Sequence, residues 1–180
     1  MVSRTSKKTR IIVAIVIVAV VALVAIVVRL NSSSPSDMTL SIITWNETSL
    51  SALEGTPAVL NFWTIGCPAC RQQLHYIEAV AQQSGGEIEV IAINIGESVS
   101  MIQKFFGDYK PTMTIALDNN GESFVDYCLA YNNTRGAIPF TFLIDSEGSV
   151  QYVKLGAFAS ETELWNTLRD IFGIMIPQTS

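Results

Sequence analysis

Two cysteines three residues apart follow a short apolar run, at a point where a strand should give way to a helix. The segment Leu-Asn-Phe-Trp-Thr-Ile-Gly-Cys-Pro-Ala-Cys-Arg occupies residues 60–71. Pro68 suits the first helical position, because its fixed φ matches a helix and its missing N–H needs no partner there. Cys67 then stands at the helix N-terminus, where free N–H groups and the helix dipole favour a thiolate. Cys70 falls on the same helical face, within reach of Cys67, so the pattern predicts a redox-active dithiol.

Apolar runs that alternate with helical patterns predict an α/β fold, a mixed sheet with helices on both faces. Runs without polar interruption are typical of strands that are buried on both sides. The expected strands are residues 40–43, 58–63, 87–95, 112–117, 140–145 and 150–155. The expected helices are residues 49–53, 67–84, 98–106, 122–131 and 161–172.

The N-terminal part of the chain is predicted to cross a membrane. Residues 11–28 are all apolar, and as a helix they would rise about 27 Å, close to the thickness of a bilayer's hydrocarbon core. A cleaved signal peptide usually has a shorter apolar region and a small-residue cleavage site, whereas Arg29 follows here. Four basic residues precede the run, so the positive-inside rule places residues 1–10 in the cytoplasm. We therefore predict an uncleaved anchor at residues 11–30.

The remainder of the chain is then exported, with a linker at residues 31–38 and a domain at residues 39–176. Residues 31–180 contain six basic and sixteen acidic side chains, a net charge of about −10. This charge argues against binding to nucleic acid and against electrostatic adhesion to anionic lipid. A location outside the cytoplasm permits disulfides. The third cysteine, Cys128, lies at helical spacing from Phe124 and Tyr131, so we expect it in the core.

Residues 40–172 resemble the membrane-anchored thioredoxin-like proteins of the TlpA/ResA type. The resemblance rests on the run Leu-Asn-Phe-Trp before the CxxC, on Ala-Ile-Asn-Ile-Gly-Glu-Ser at residues 92–98, and on Ile-Pro-Phe-Thr-Phe-Leu-Ile-Asp at residues 138–145. It implies a thioredoxin-like mixed sheet preceded by one transmembrane helix. It further implies an extracytoplasmic, membrane-tethered thiol-disulfide oxidoreductase with Cys67 and Cys70 as its catalytic residues.

The same resemblance implies the binding residues and partners. Pro139 would be a cis proline beside the CxxC that binds substrate backbone, and Ile138 would present main-chain groups. An ordinary trans proline is the alternative, since only about 5–6% of X–Pro bonds are cis. We group Trp63 with these substrate-binding residues by position, and expect its ring to pack beneath the site. No metal or organic cofactor is expected besides the Cys67–Cys70 disulfide. The implied partners are exported cysteine-containing proteins, apocytochromes c among them, and a membrane thiol-disulfide exchange protein.

The environment of the CxxC departs from the family pattern. Family members commonly have proline just before the second cysteine, where this chain has Ala69, and its proline is Pro68 instead. ResA-like proteins have a glutamate at the position of Gln73, and thioredoxin has a buried aspartate at the position of Asn61. Neither amide can act as a carboxylate base, Arg71 lies nearby, and no acid is expected near the pair. We therefore expect that the Cys67 thiolate is favoured and that the reduction potential of the Cys67–Cys70 couple is not strongly reducing.

Two other functions share part of the pattern. Thr64 and Cys67 match the Thr-x-x-Cys of peroxiredoxin-type thiol peroxidases, but Leu60 stands where that family has proline. A non-catalytic metallochaperone could use the CxxC alone. The only histidine, His75, follows Cys70 by five residues, which turns it about 140° away around a helix, so no zinc site is predicted.

Overall fold

The computed structural model describes residues 13–23, 41–43 and 55–174. The chain separates into two units, residues 1–34 and residues 35–180. In the first unit, residues 13–23 form a helix (α1) with exposed apolar side chains. Within the described ranges, no helix combines the length and apolar character needed to cross a bilayer. The predicted anchor at residues 11–30 reaches beyond the described residues at both ends, so it stays a prediction.

The second unit contains a six-stranded mixed sheet in the order β1-β4-β3-β2-β5-β6. The strands are β1 (Ser41–Ile43), β2 (Ala58–Trp63), β3 (Glu89–Ile95), β4 (Thr114–Asp118), β5 (Phe140–Ile144) and β6 (Val150–Leu155). The helices are α2 (Pro68–Gln83), α3 (Val99–Phe106), α4 (Glu122–Ala130) and α5 (Glu161–Phe172). β2, β3 and β4 run parallel, while β1, β5 and β6 pair antiparallel with their neighbours. The predicted α/β fold with a mixed sheet is confirmed; the helix predicted at residues 49–53 lies outside the described residues.

Strand β2 lies inside the sheet and is buried throughout its length. Because successive strand residues face opposite sides, β2 contributes to two apolar clusters. Val59 and Trp63 belong to one cluster, with residues of α2, α3 and α5. Leu60 and Phe62 belong to the other, with Tyr127 of α4. Helices therefore cover both faces of the sheet, as the apolar pattern of β2 predicts.

The parallel pairing of β2 and β3 brings their C-terminal ends to the same edge of the sheet. Trp63 pairs with Asn94, so the segments that follow these two residues begin side by side. β2 continues through the loop of residues 64–66 into α2, and β3 continues through residues 96–98 into α3. Clefts at the carboxyl ends of parallel strands are where ligands of α/β proteins bind. This edge of the sheet carries both cysteines of the CxxC.

Candidate active site

Cys67 and Cys70 form a disulfide, with their Cα atoms 5.2 Å apart. Cys67 is the N-cap of α2 and Pro68 occupies the first helical turn, as the sequence predicts. The backbone N–H of Cys70 donates to the sulfur of Cys67 at 3.1 Å. Cys67 is half-buried, whereas Cys70 is completely buried. Cys67 is therefore the cysteine of the pair that offers surface to a protein partner, whereas Cys70 offers none.

The Ile138–Pro139 peptide bond is cis, as the family resemblance implies. The carbonyl oxygen of Ile138 lies 4.0 Å from the sulfur of Cys67, so this loop faces the accessible cysteine. After reduction, the thiol of Cys67 can donate to that carbonyl. Ile138 is half-buried and Pro139 is buried. Binding of substrate backbone by these two residues stays a prediction.

One helical turn beyond Cys70, three uncharged side chains form a completely buried network. Nε2 of Gln73 donates to Oδ1 of Asn61 at 2.8 Å and to Oγ1 of Thr141 at 2.6 Å. The hydroxyl of Thr141 donates to Oδ1 of Asn61 at 3.0 Å. Oε1 of Gln73 accepts the backbone N–H of Phe158 at 2.9 Å. Because every member is neutral, the network contains no carboxylate that could accept a proton from Cys70.

A carboxylate does contact the loop that leads into the CxxC. Both carboxylate oxygens of Glu97 accept the backbone N–H of Ile65, at 3.0 and 3.2 Å. Nδ2 of Asn94 donates to the same carboxylate at 2.6 Å. From the helix side, Nη1 of Arg71 donates to the carbonyl oxygen of Ile65 at 3.2 Å. The expectation that no acid lies near Cys67 was wrong, because the acid comes from the segment after β3.

Two residues of this site were thus missed from the sequence, Glu97 and Thr141. The signal for Glu97 was available: two adjacent parallel strands end at one edge, so the residues after β3 lie near those after β2. Thr141 pairs with Asn61 across β2 and β5. That register depends on how β2 and β5, which are far apart in the sequence, pair in the folded sheet, and no local pattern indicates it.

The remaining candidate residues lie around the site. Trp63 is fully buried, and its ring centroid lies 5.5 Å from that of Phe105, which confirms the expected packing role. Contact between Trp63 and substrate stays a prediction. Ala69 is exposed beside the disulfide. His75 is exposed and lines a groove of about 650 Å³ beside α2. In the part of the chain that the structure describes, no three metal-binding side chains cluster together.

Cys128 is a free thiol on α4, which covers the face of the sheet opposite to the one that α2 covers. It is half-buried rather than fully enclosed, and packs against the cluster that contains Tyr127. Burial raises the pKa of its thiol, while a hydrogen bond with Asn133 acts in the opposite direction. A thiol with a raised pKa is a poor nucleophile at neutral pH, which suits the packing role expected of Cys128.

Comparisons with known proteins agree with this geometry. A family model described as Redoxin matches residues 36–168. The thiol-disulfide oxidoreductase ResA of Geobacillus kaustophilus is 30% identical over 137 residues, covering 74% of each chain. The sporulation thiol-disulfide oxidoreductase A of Bacillus subtilis is 27% identical over 112 residues, covering 60% of this chain and 64% of the relative. A secreted disulfide oxidoreductase of Mycobacterium tuberculosis has a similar fold, with a TM-score of 0.61 and 22% identity, over 75% of this chain and 96% of that chain.

Proposed function

The chain belongs to the Redoxin family and is a thiol-disulfide oxidoreductase, and we propose that it acts outside the cytoplasm, tethered to the membrane, on exported proteins that contain cysteine. The observation that carries the proposed exchange with protein partners is the asymmetry of the CxxC. Cys67 is accessible at a helix N-terminus and faces a cis-proline loop, while Cys70 is buried behind it. One thiol is thus placed to meet a partner and the other to resolve the bond that forms.

The exchange is reversible and transfers two electrons. In the reducing direction, the thiolate of Cys67 attacks one sulfur of a partner disulfide, and the partner's other sulfur leaves as a thiolate. The thiolate of Cys70 then attacks the sulfur of Cys67 in the mixed disulfide. The partner departs as a dithiol, and the enzyme is left with the Cys67–Cys70 disulfide seen in this structure. The oxidising direction runs through the same steps in reverse order.

The adjacent buried thiol also bears on the peroxidase alternative. A thiol peroxidase seldom needs a second cysteine three residues beyond the reactive one, whereas Cys67 and Cys70 are paired here, and Leu60 stands where that family has proline. This arrangement favours dithiol–disulfide exchange with protein partners. The pair itself serves as the redox centre, so the proposed reaction draws on no further cofactor.

The proposed location rests on the N-terminal sequence. Residues 11–28 are uniformly apolar, basic residues precede them, and a short polar segment follows. A tether of this kind would keep the domain on the extracytoplasmic side of the membrane that its anchor crosses, among newly exported chains. We propose that such chains, apocytochromes c among them, are its substrates. A membrane thiol-disulfide exchange protein would restore its redox state after each turnover.

The two cysteines have different expected phenotypes. Cys67→Ser should abolish reduction of insulin disulfides, because the accessible nucleophile is lost. Cys70→Ser should leave a mixed disulfide on Cys67, because the resolving thiol is lost. Non-reducing electrophoresis and mass spectrometry measure both outcomes, with Cys128→Ser as the matched control. Labelling of Cys70 before Cys67 by an alkylating reagent would reverse the assigned roles.

The location is tested separately. A reporter that is active only outside the cytoplasm, fused after Ser180, should be active and should sediment with membranes. Deletion of residues 1–30 should leave the fusion inactive and in the soluble fraction. Recovery of the full-length fusion in the soluble cytoplasmic fraction would refute the tether while leaving the thiol chemistry intact.

A further inference from the structure

We propose that Glu97 is a positioning residue that holds the loop before Cys67 and, through its negative charge, restrains the Cys67 thiolate. The proposal rests on thiol-disulfide exchange at Cys67, the function argued above, and names a residue that controls it. A carboxylate bound to this loop would set how oxidising the Cys67–Cys70 couple is. It would also make the segment between β3 and α3 part of the active site.

The backbone geometry explains how Glu97 reaches this position. β3 ends at Ile95, and Gly96 follows with φ 71°, a left-handed conformation that glycine adopts without steric cost. The N–H of Gly96 donates to the carbonyl of Asp118 at the end of β4, at 2.9 Å, which fixes the turn. Glu97 is thereby directed along the sheet edge towards the end of β2 rather than onwards along its own strand.

Glu97 and Arg71 together hold Ile65 by its two backbone polar groups. Its carboxylate accepts the N–H of Ile65, and the guanidinium of Arg71 binds the carbonyl of the same residue. Asn94 is completely buried and orients the carboxylate, and its own Oδ1 accepts the N–H of Glu97 at 3.3 Å. Both polar groups of Ile65 are therefore satisfied by side chains outside the loop. Such charge-assisted hydrogen bonds restrict the loop more than neutral ones do.

The charge of Glu97 acts on Cys67 because Ile65, whose N–H it binds, is close to Cys67 along the chain. Ile65 precedes Cys67 by two residues, so their Cα atoms lie within about 7 Å. The Glu97 carboxylate binds the N–H of Ile65, and a negative charge at this point of the loop disfavours a second one nearby, the thiolate that forms when the disulfide accepts two electrons. Glu97 therefore opposes the stabilisation that Cys67 gains from the helix N-terminus. Its removal should favour the reduced dithiol and make the disulfide a stronger oxidant.

The test is the redox equilibrium of the full-length wild-type protein and of its Glu97→Gln variant in glutathione buffers, together with the pH dependence of alkylation of Cys67. Glutamine keeps one acceptor for Ile65 and loses the charge. We expect the equilibrium constant to move at least threefold towards the dithiol, which corresponds to about 14 mV. The pH at which Cys67 reaches half of its maximal alkylation rate should fall by about half a unit, because a threefold increase in the acid constant of the thiol corresponds to that shift.

Glu78→Gln is the matched control, because Glu78 is also a buried carboxylate that accepts two backbone N–H groups, those of Thr112 and Met113. It lies eleven residues beyond Cys67, about 16 Å farther along α2. Its substitution should lower the melting temperature and leave the redox equilibrium unchanged. An effect that came only from loss of stability would appear equally in both variants.

The outcomes separate the proposal from its premise. An unchanged equilibrium and alkylation midpoint in Glu97→Gln, or equal shifts in both variants, would overturn the role of Glu97. A wild-type protein that never exchanges with glutathione would instead overturn exchange at Cys67. If Glu97→Gln does not fold, Glu97→Asp, which withdraws the carboxylate from Ile65 by one methylene, should shift the equilibrium in the same direction by a smaller factor, and no shift would refute the proposal.

Discussion

Gln73→Glu replaces the central amide of the buried network with a carboxyl group, and its effect on stability should depend steeply on pH. Gln73 is completely buried and donates two hydrogen bonds, to Asn61 and Thr141, while it accepts one from Phe158. A protonated glutamate of the same shape can donate one hydrogen bond, to Asn61 or to Thr141, and can accept the hydrogen bond from Phe158. At low pH the variant should therefore lose about one hydrogen bond, or about 1 kcal/mol.

The larger cost appears when the unfolded chain ionises. Burial raises the pKa of a fully enclosed carboxyl by about 3 or more, and one pKa unit corresponds to about 1.4 kcal/mol. A rise of 3 from the unfolded value of about 4.3 costs about 4 kcal/mol. Because the native state keeps a proton that the unfolded chain has released, the stability present below about pH 4 is lost progressively as pH rises to about pH 7.

Guanidinium unfolding of the oxidised proteins, followed by tryptophan fluorescence from pH 4 to pH 8, measures this difference. Gln72→Glu is the matched control, since Gln72 is the neighbouring residue and is exposed. Its substitution should change stability by well under 1 kcal/mol at every pH. A loss in Gln73→Glu that stays constant with pH, or that is larger at pH 4 than at pH 8, would refute the reasoning.

Three further outcomes are expected. Cys128→Ala should cost about 1 kcal/mol in guanidinium unfolding and retain full insulin reduction, and lost activity with an intact fold would make Cys128 a redox residue. Thr141→Val should cost about 2 kcal/mol, because it removes both hydrogen bonds of the Thr141 hydroxyl, and Thr141→Ser should recover most of that loss. For Glu163, the N–H of Ala159 and the ammonium of Lys154 lower its carboxyl pKa. Glu163→Gln should therefore lower the melting temperature at pH 7, and the difference should shrink as pH falls below the unfolded value of about 4.3 and vanish below the lowered native pKa.

The strands and the reactive pair were predictable because local signals determine them. The apolar run before the CxxC and Pro68 at the helix start both act over a few residues, and β2 and α2 form where these patterns place them. The cis state of Pro139 came from family resemblance alone, since nothing in the neighbouring residues distinguishes it from a trans proline. Sequence patterns thus located the two sulfurs within the fold.

The polar surroundings of the sulfurs were harder to predict because they join distant segments. Glu97 is 32 residues from Ile65, and Thr141 is 80 residues from Asn61. Each contact depends on which strands are neighbours and in which register they pair. An inventory of residues near Cys67 in sequence therefore finds Arg71 and misses the carboxylate. A prediction of how oxidising the Cys67–Cys70 couple is must therefore include both charges, that of Arg71 and that of Glu97.

The position of a carboxyl group, rather than its presence alone, should decide whether it perturbs the Cys67–Cys70 couple. A carboxyl placed at Gln73 is fully buried and stays mostly protonated below about pH 7, so it carries little charge at pH 6. At pH 6, Glu97→Gln should therefore shift the redox equilibrium more than Gln73→Glu does. Above the raised pKa of the new carboxyl, Gln73→Glu should make the couple more reducing, opposite to the shift in Glu97→Gln. An equally large reducing shift in Gln73→Glu at pH 6 and pH 8 would show that burial does not keep the new group neutral.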